Sequence, residues 1–328
     1  VQLADDAPPL ASSPRQLNAS ANGSLLAYRT GAELGQQFTW VARDGRPLGP
    51  VGPEGRYTTL DLSLDGSRLI VSRVESAGMS NLWLLDVEKG TFSRVTTGAA
   101  SDVDPRFSPD GRAVIFGSNR DPSRSPYRAS VVGEQPAPLF KFPGRLYSND
   151  DWSADGRWLL YHDATDPVLY ARRLDRLDDP PLVVARALVG VIDEAQMSFD
   201  GKWVAYNSTE SGRAEVYVVP FPPTGDRWQV SVAGGAQPLW RQDDRELYFL
   251  GPDGALLAAS VTPGPRFEAH TPVRLFQSPV RAVTFATEQY AAVPDGSKFL
   301  FPAFAADARP DSIVVVSNWR SLLDASGQ

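Results

Sequence analysis

Seven times along the chain a strand-like run stops at the same tight turn and resumes as another strand-like run. The turns are Ser20-Ala21-Asn22-Gly23, Ser63-Leu64-Asp65-Gly66, Ser108-Pro109-Asp110-Gly111, Ser153-Ala154-Asp155-Gly156, Ser198-Phe199-Asp200-Gly201, Arg241-Gln242-Asp243-Asp244 and Val293-Pro294-Asp295-Gly296. Successive turns are spaced by 43, 45, 45, 45, 43 and 52 residues. A hairpin signal recurring with a period near 45 marks a repeat architecture.

The third unit serves as a template. Asp104 to Ser108 reads as a short first strand, Pro109-Asp110-Gly111 as the turn, and Ala113 to Gly117 as the second strand. Pro presets φ, Asp caps locally and Gly accepts φ > 0. Tyr127 to Val132 and Ala137 to Phe140 read as the third and fourth strands. The runs are rich in β-branched and aromatic residues and are bounded by Gly, Pro, Asp and Ser. Four antiparallel strands per 45-residue unit is the pattern of a β-propeller blade. Inner strands pack on both faces, and Trp158-Leu159-Leu160-Tyr161 is apolar throughout.

The expectation is an all-β chain, a single domain over residues 1–328, folded as a seven-bladed β-propeller of four-stranded antiparallel blades. Unit seven has room for strands at Gln289–Val293, Lys298–Pro302 and Ser312–Val316, with little left for a fourth. Leu3 lies 20 residues before Gly23, much as Leu275 lies 21 before Gly296. The N-terminal strand at residues 1–4 is therefore expected to pair with Ser312–Val316 and complete the last blade, hiding an edge.

Charge narrows the function. There are 32 basic and 39 acidic residues, a net of −7, which disfavours a phosphate-binding surface and so a nucleic-acid partner. With no cysteine, thiolate metal sites and a cysteine nucleophile are excluded, and an oxidising compartment is compatible. No apolar run reaches the eighteen residues of a spanning helix, so direct membrane insertion by this segment is not expected. Val1–Asp6 is too acidic for a signal peptide, so any signal or anchor is expected outside this segment, through which the protein would be tethered.

The string Phe107-Ser108-Pro109-Asp110-Gly111-Arg112, followed by Ser118-Asn119-Arg120-Asp121, resembles the TolB-type repeat, a bacterial relative of WD repeats. The ordered series Glu210 to Pro222, Trp228 to Ser231, Gly234 to Arg241, Leu275 to Gln277 and Ser317 to Trp319 is similar to the C-terminal propeller of bacterial membrane-bound Ser/Thr protein kinases. The resemblance implies a non-catalytic, periplasmic or otherwise extracytoplasmic sensor or scaffold that binds a protein or small ligand. It equally covers stand-alone periplasmic TolB-like interaction proteins and the gating propeller of prolyl-oligopeptidase-type peptidases lacking the catalytic domain. Kinase motifs are absent from the sequence.

No catalytic residues and no cofactor are expected. The two histidines, His162 and His270, lie in different units, and there is neither a Gly-x-Ser-x-Gly elbow nor a paired-His zinc motif. One constellation stands out on aligning the repeats. Seven positions before each turn Gly (or Asp244) stand Gln16, Thr59, Asp104, Asn149, Glu194, Gln237 and Gln289, all polar at the start of otherwise apolar strands. Innermost strands line a propeller's channel, so these side chains are expected at one mouth, solvated, as a candidate ligand site. Oxygen ligands there would suit a hard cation, but no calcium motif supports one and no metal is assigned.

Overall fold

The computed structural model describes residues 17–19, 25–30, 35–75, 78–121, 124–133, 135–141, 147–280, 282–284, 288–304 and 312–317. The chain divides into two compact units, Gln36–Ala303 and a second formed by Val1–Gly35 with Phe304–Gln328.

The larger unit is built from six four-stranded antiparallel sheets. Blade one is Tyr57–Leu62, Arg68–Val74, Ser80–Asp86 and Thr91–Arg94. Blades two to five follow in sequence, with innermost strands Asp102–Phe107, Tyr147–Trp152, Ile192–Met197 and Ala236–Trp240. Blade six is composite. Its inner strands are Ala291–Ala292 and Lys298–Phe304, and its outer strands are Gln36–Ala42 and Pro47–Gly55 from the other end of the unit. The innermost strands of blades one to five pack each on the next, and that of blade six returns to that of blade one.

Six buried apolar clusters hold the ring, one at each seam. Leu160, Leu169, Val204 and Tyr206 join blades three and four. The closing seam joins Phe38 and Trp40 to Leu60, Leu69 and Val71 of blade one and to Leu300 of blade six. Burial of each such side chain stabilises by about 1.5–3 kcal/mol, so closure draws its strength from the same source as the other seams.

The turns form as their sequence demands. The amides of Gly66, Gly111, Gly156, Gly201 and Gly296 donate to the carbonyl three residues back. All five glycines have φ between 65° and 75°, where Cβ is disfavoured. Asp244 takes the glycine's place with φ 58°. Its carboxylate accepts the amides of Phe199 and Asp200 in the neighbouring blade, both at 2.8 Å.

The blade number corrects the sequence expectation: there are six, not seven. The Gly23 hairpin is not a blade of this ring. Its flanking strands Leu17–Ala19 and Leu25–Thr30 belong to the smaller unit, a three-stranded sheet with Ser312–Ser317. Leu25 pairs with Ser317 and Thr30 with Ser312. The strand expected to be completed by residues 1–4 is thus paired with Leu25–Thr30, while residues 1–4 lie outside the described residues. The last blade is completed by Gln36–Gly55 instead. A turn motif fixes only the two strands it joins, and the choice of third strand is a non-local pairing that the motif does not encode.

Candidate functional site

Every innermost strand of blades one to five carries a register shift at or beside the repeat position singled out in the sequence. At three of these bulges the backbone is left-handed: Asp104 (φ 52°), Glu194 (φ 51°) and Gln237 (φ 58°). Such φ values are uncommon for non-glycine residues, and bulges re-aim side chains. Here they turn polar groups towards the adjacent blade and the channel.

Most of the expected ring is consumed in binding blades together. Thr59 Oγ1 donates to Ser72 Oγ at 2.7 Å and accepts the Asp104 amide at 3.1 Å. Asn149 Nδ2 donates to the Asp104 carbonyl at 2.9 Å. Ser148 Oγ donates to Asp104 Oδ2 at 2.8 Å, and Arg124 stands 3.6 Å from the same oxygen. Gln237 Nε2 donates to Gln289 Oε1 at 3.0 Å while the Gln289 amide donates to Gln237 Oε1 at 2.9 Å, closing blades five and six. Thr59, Asp104, Asn149 and Gln237 are buried. The expectation of solvated side chains thus fails for Asp104, which is packed into the seam. Gln16 lies outside the described residues.

A channel cavity of about 130 Å³ runs along the inner strands, and among the described members of the expected ring only Glu194 and Gln237 line it. The other polar lining comes from residues that the ring position does not pick out. Two residues further along, in blades one to four, stand Asp61, Arg106, Asp151 and Gln196. Three of them accept the next blade's amide: Asp61 from Phe107 at 2.7 Å, Asp151 from Met197 at 2.9 Å and Gln196 from Trp240 at 2.5 Å. Arg106 breaks the series. Its guanidinium donates to the carbonyls of Pro105, Asn149 and Asp150, and to the Glu288 carboxylate. Aligning this second polar position would have exposed the layer from sequence, but the reach of Arg106 to Glu288 in blade six is purely spatial.

Next to this layer His162 is buried between two blades. Its Nδ1 lies 2.9 Å from Asp150 Oδ2 and its Nε2 lies 3.3 Å from Asp193 Oδ1. Asp150 also accepts the Ala195 amide at 3.2 Å. Burial pulls the imidazole pKa down, but Asp150 and then Asp193 outweigh it and lift it to about 9. These three side chains are close enough to converge on one ion. Each ring nitrogen nevertheless faces its own carboxylate, which is the geometry of a paired imidazolium rather than of a metal ligand set. Sequence reading kept His162 and the flanking aspartates apart because nothing local joins them.

The carboxyls of the channel are hard to ionise. Burial pushes Asp151 and Asp193 up to about 7. Burial, then the neighbouring Glu288 charge, drives Glu194 well above the usual range. Asp61 and Glu288 are raised by burial too, with Arg106 partly opposing. Arg106 itself is held charged, because Glu288 and Asp61 outweigh its desolvation.

Residues 54–175, spanning blades one to three, match the family model described as PD40, TolB beta propeller domain. The six-bladed unit has a TolB-like β-propeller fold. The chain is 28% identical over 108 residues to the Tol-Pal system protein TolB of Wolinella succinogenes, covering 33% of this chain and 25% of that protein. It is 32% identical over 91 residues to the uncharacterized peptidase YuxL of Bacillus subtilis, covering 27% of this chain and 14% of that one. The match therefore spans a quarter or less of the length of either relative. Among solved structures, a candidate TolB of Agrobacterium tumefaciens superposes with a TM-score of 0.62 at 17% identity, covering 84% of this chain and 99% of that one.

Proposed function

We propose that this chain is a non-catalytic interaction module working outside the cytoplasm, with the acidic channel mouth as its binding surface for a protein or small ligand. The observation that carries the reading is the channel itself. Inner strands of all six blades converge on a cavity whose charged groups are chiefly carboxyls; its Arg106 is already engaged by the protein, as is His162 beside it. His162, with both nitrogens committed and its pKa raised, is poorly suited to take a proton from a nucleophile. Fold alone does not decide function; these groups set the chemistry available to the channel.

The resemblance to kinase C-terminal propellers favours the sensor half of a receptor-type Ser/Thr kinase. The TolB matches favour a second reading, a stand-alone periplasmic interaction protein. Both place the chain outside the cytoplasm, as periplasmic TolB relatives do. A photoreactive residue at exposed Leu188, in the loop leading into Ile192–Met197, tests the proposal in native cells. A discrete crosslinked partner recovered from the periplasmic or surface fraction is expected. Recovery of the chain from the cytoplasm alone would overturn it. In the native gene, an upstream kinase domain with a membrane span supports the receptor reading, and a downstream serine hydrolase domain favours the peptidase-gate alternative.

A further inference from the structure

We propose that the channel is a site for an amphipathic monovalent cation, an alkylammonium or guanidinium group with an apolar stem, whose head is received by Glu194 and Glu288. This rests on the reading of the channel as the binding surface and adds the ligand's chemistry.

The cavity is polarised along its length. At the level of the bulges it is lined by Glu194, Glu288 and Gln237. At the level of the hairpin turns it is lined by Leu64, Pro109, Phe199 and Pro294. An acidic end and an apolar end in one cavity match a ligand with a charged head and a hydrocarbon stem. Its volume, about 130 Å³, falls below the roughly 300–1,000 Å³ of drug-sized pockets. It suits one side chain or a small amine.

The acidic end has acceptors to spare. Among the described residues, Asp61, Asp150 and Asp151 are used by backbone amides. Arg106 satisfies one oxygen of Glu288, but among the described residues the buried Glu288 Oε2 has no hydrogen-bond partner. Glu194 lines the cavity, and among the described residues no donor reaches its carboxyl group; its backbone amide donates to Asp193 Oδ1. Buried polar atoms without partners are costly and call for an explanation. Arg106 leaves little for them, since four of its five N–H groups go to three carbonyls and Glu288 Oε1. A second cationic head would satisfy both glutamates at once. An ammonium or guanidinium carries three to five N–H donors on one charge, and that charge would stabilise the ionised form of the two glutamates, which their burial disfavours; a neutral ligand would not.

The experiment is calorimetric titration of the purified chain with n-butylammonium, methylguanidinium and, as the neutral control, n-butanol. Saturable one-to-one binding of a cation, with no detectable binding of butanol, is expected. Glu194→Gln should weaken cation binding about tenfold or more, the loss of a charge-assisted pair. Should that variant not fold, Glu288→Gln, which keeps an oxygen for Arg106, should show the same loss. A blocked pentapeptide carrying one lysine separates the sources. Tighter binding than the free amine assigns the site to a partner's side chain, and weaker binding to a free small cation. Equal binding of butanol and butylammonium, unchanged affinity in the glutamine variants, or tight calcium binding with no amine binding would each overturn the proposal. A partner captured from Leu188 together with failed amine binding would leave the interaction reading standing and remove this one.

Discussion

Asp65 of blade one and Asp151 of blade three are the same residue type, one at a hairpin turn and one in the channel, and their environments drive them in opposite directions. Asp65 accepts from Ser63 Oγ at 2.6 Å, the Ser67 amide at 3.0 Å and Ser67 Oγ at 2.8 Å, which pull its pKa down to about 2. Asp151 is raised to about 7 by burial, against the opposing bond from Met197. The turn carboxylates are saturated with local donors that the motif itself supplies. The channel carboxylates depend on donors from other blades, and there are too few. The turns thus build the blade, and the channel holds the chemistry left unsatisfied.

The largest effect tests the channel side. Arg106→Met leaves Glu288 buried without its partner and frees three carbonyls, and should cost about 3–5 kcal/mol in urea unfolding at pH 8. At pH 5 the loss should shrink, because Glu288, already raised, then takes up a proton. A loss independent of pH would mean that Arg106 works by packing alone.

Next comes a contrast within the turns. At Gly296 an added Cβ would sit 2.0 Å from the Tyr248 hydroxyl, which also bonds Glu246 and Arg43. At Gly201 nothing lies within 4 Å. Both have positive φ. Gly296→Ala should therefore cost about 2–3 kcal/mol, and Gly201→Ala about 1 kcal/mol, the backbone strain alone. Equal melting temperatures for the two variants would show that the turn at Gly296 yields freely.

A smaller effect is the pH crossover at Asp151. Its folded pKa is raised, so its contribution is complete below the unfolded value near 4 and is lost as pH rises through about 7. Asp151→Asn removes that loss while an amide oxygen can still accept from Met197. Relative to the unsubstituted chain, the variant should gain about 1 kcal/mol or more between pH 5 and pH 8. Denaturation midpoints that track each other across this range would place Asp151 in water.

The smallest effect is at Asp65, whose pKa is lowered. Its contribution is present above the unfolded value near 4 and disappears as pH falls through about 2. Asp65→Asn should cost at most about 1 kcal/mol at pH 7, since the site is largely solvent-screened, and nothing near pH 2. A pH-independent loss would assign the effect to the turn's backbone rather than to the charge.

Much of this was legible before any coordinates. The four Ser-x-Asp-Gly turns and Val293-Pro294-Asp295-Gly296 close their turn hydrogen bond within four residues, so five of the hairpins and the left-handed Asp244 follow from local chemistry. Apolar runs such as Trp158 to Tyr161 mark strands buried on both sides. The polar position before each turn was visible too, because side-chain type at a fixed repeat offset is a sequence property. What those side chains do was not visible: Thr59, Asn149 and Gln237 make bonds across seams, to residues 45 to 52 positions away.

Sequence by itself determined the repeat, the hairpins, the four-stranded blade and the kind of residue facing inward, since each is set by neighbours within one unit. Tertiary structure alone decided the number of blades, because Gln36–Ala42 and Ser312–Ser317 are both competent third strands and only packing selects which one joins Lys298–Phe304. It likewise decided the channel's chemistry, because the meeting of Arg106 with Glu288 and of His162 with Asp150 and Asp193 depends on closing the ring, and the cost of an unpaired buried charge exists only once the ring has closed.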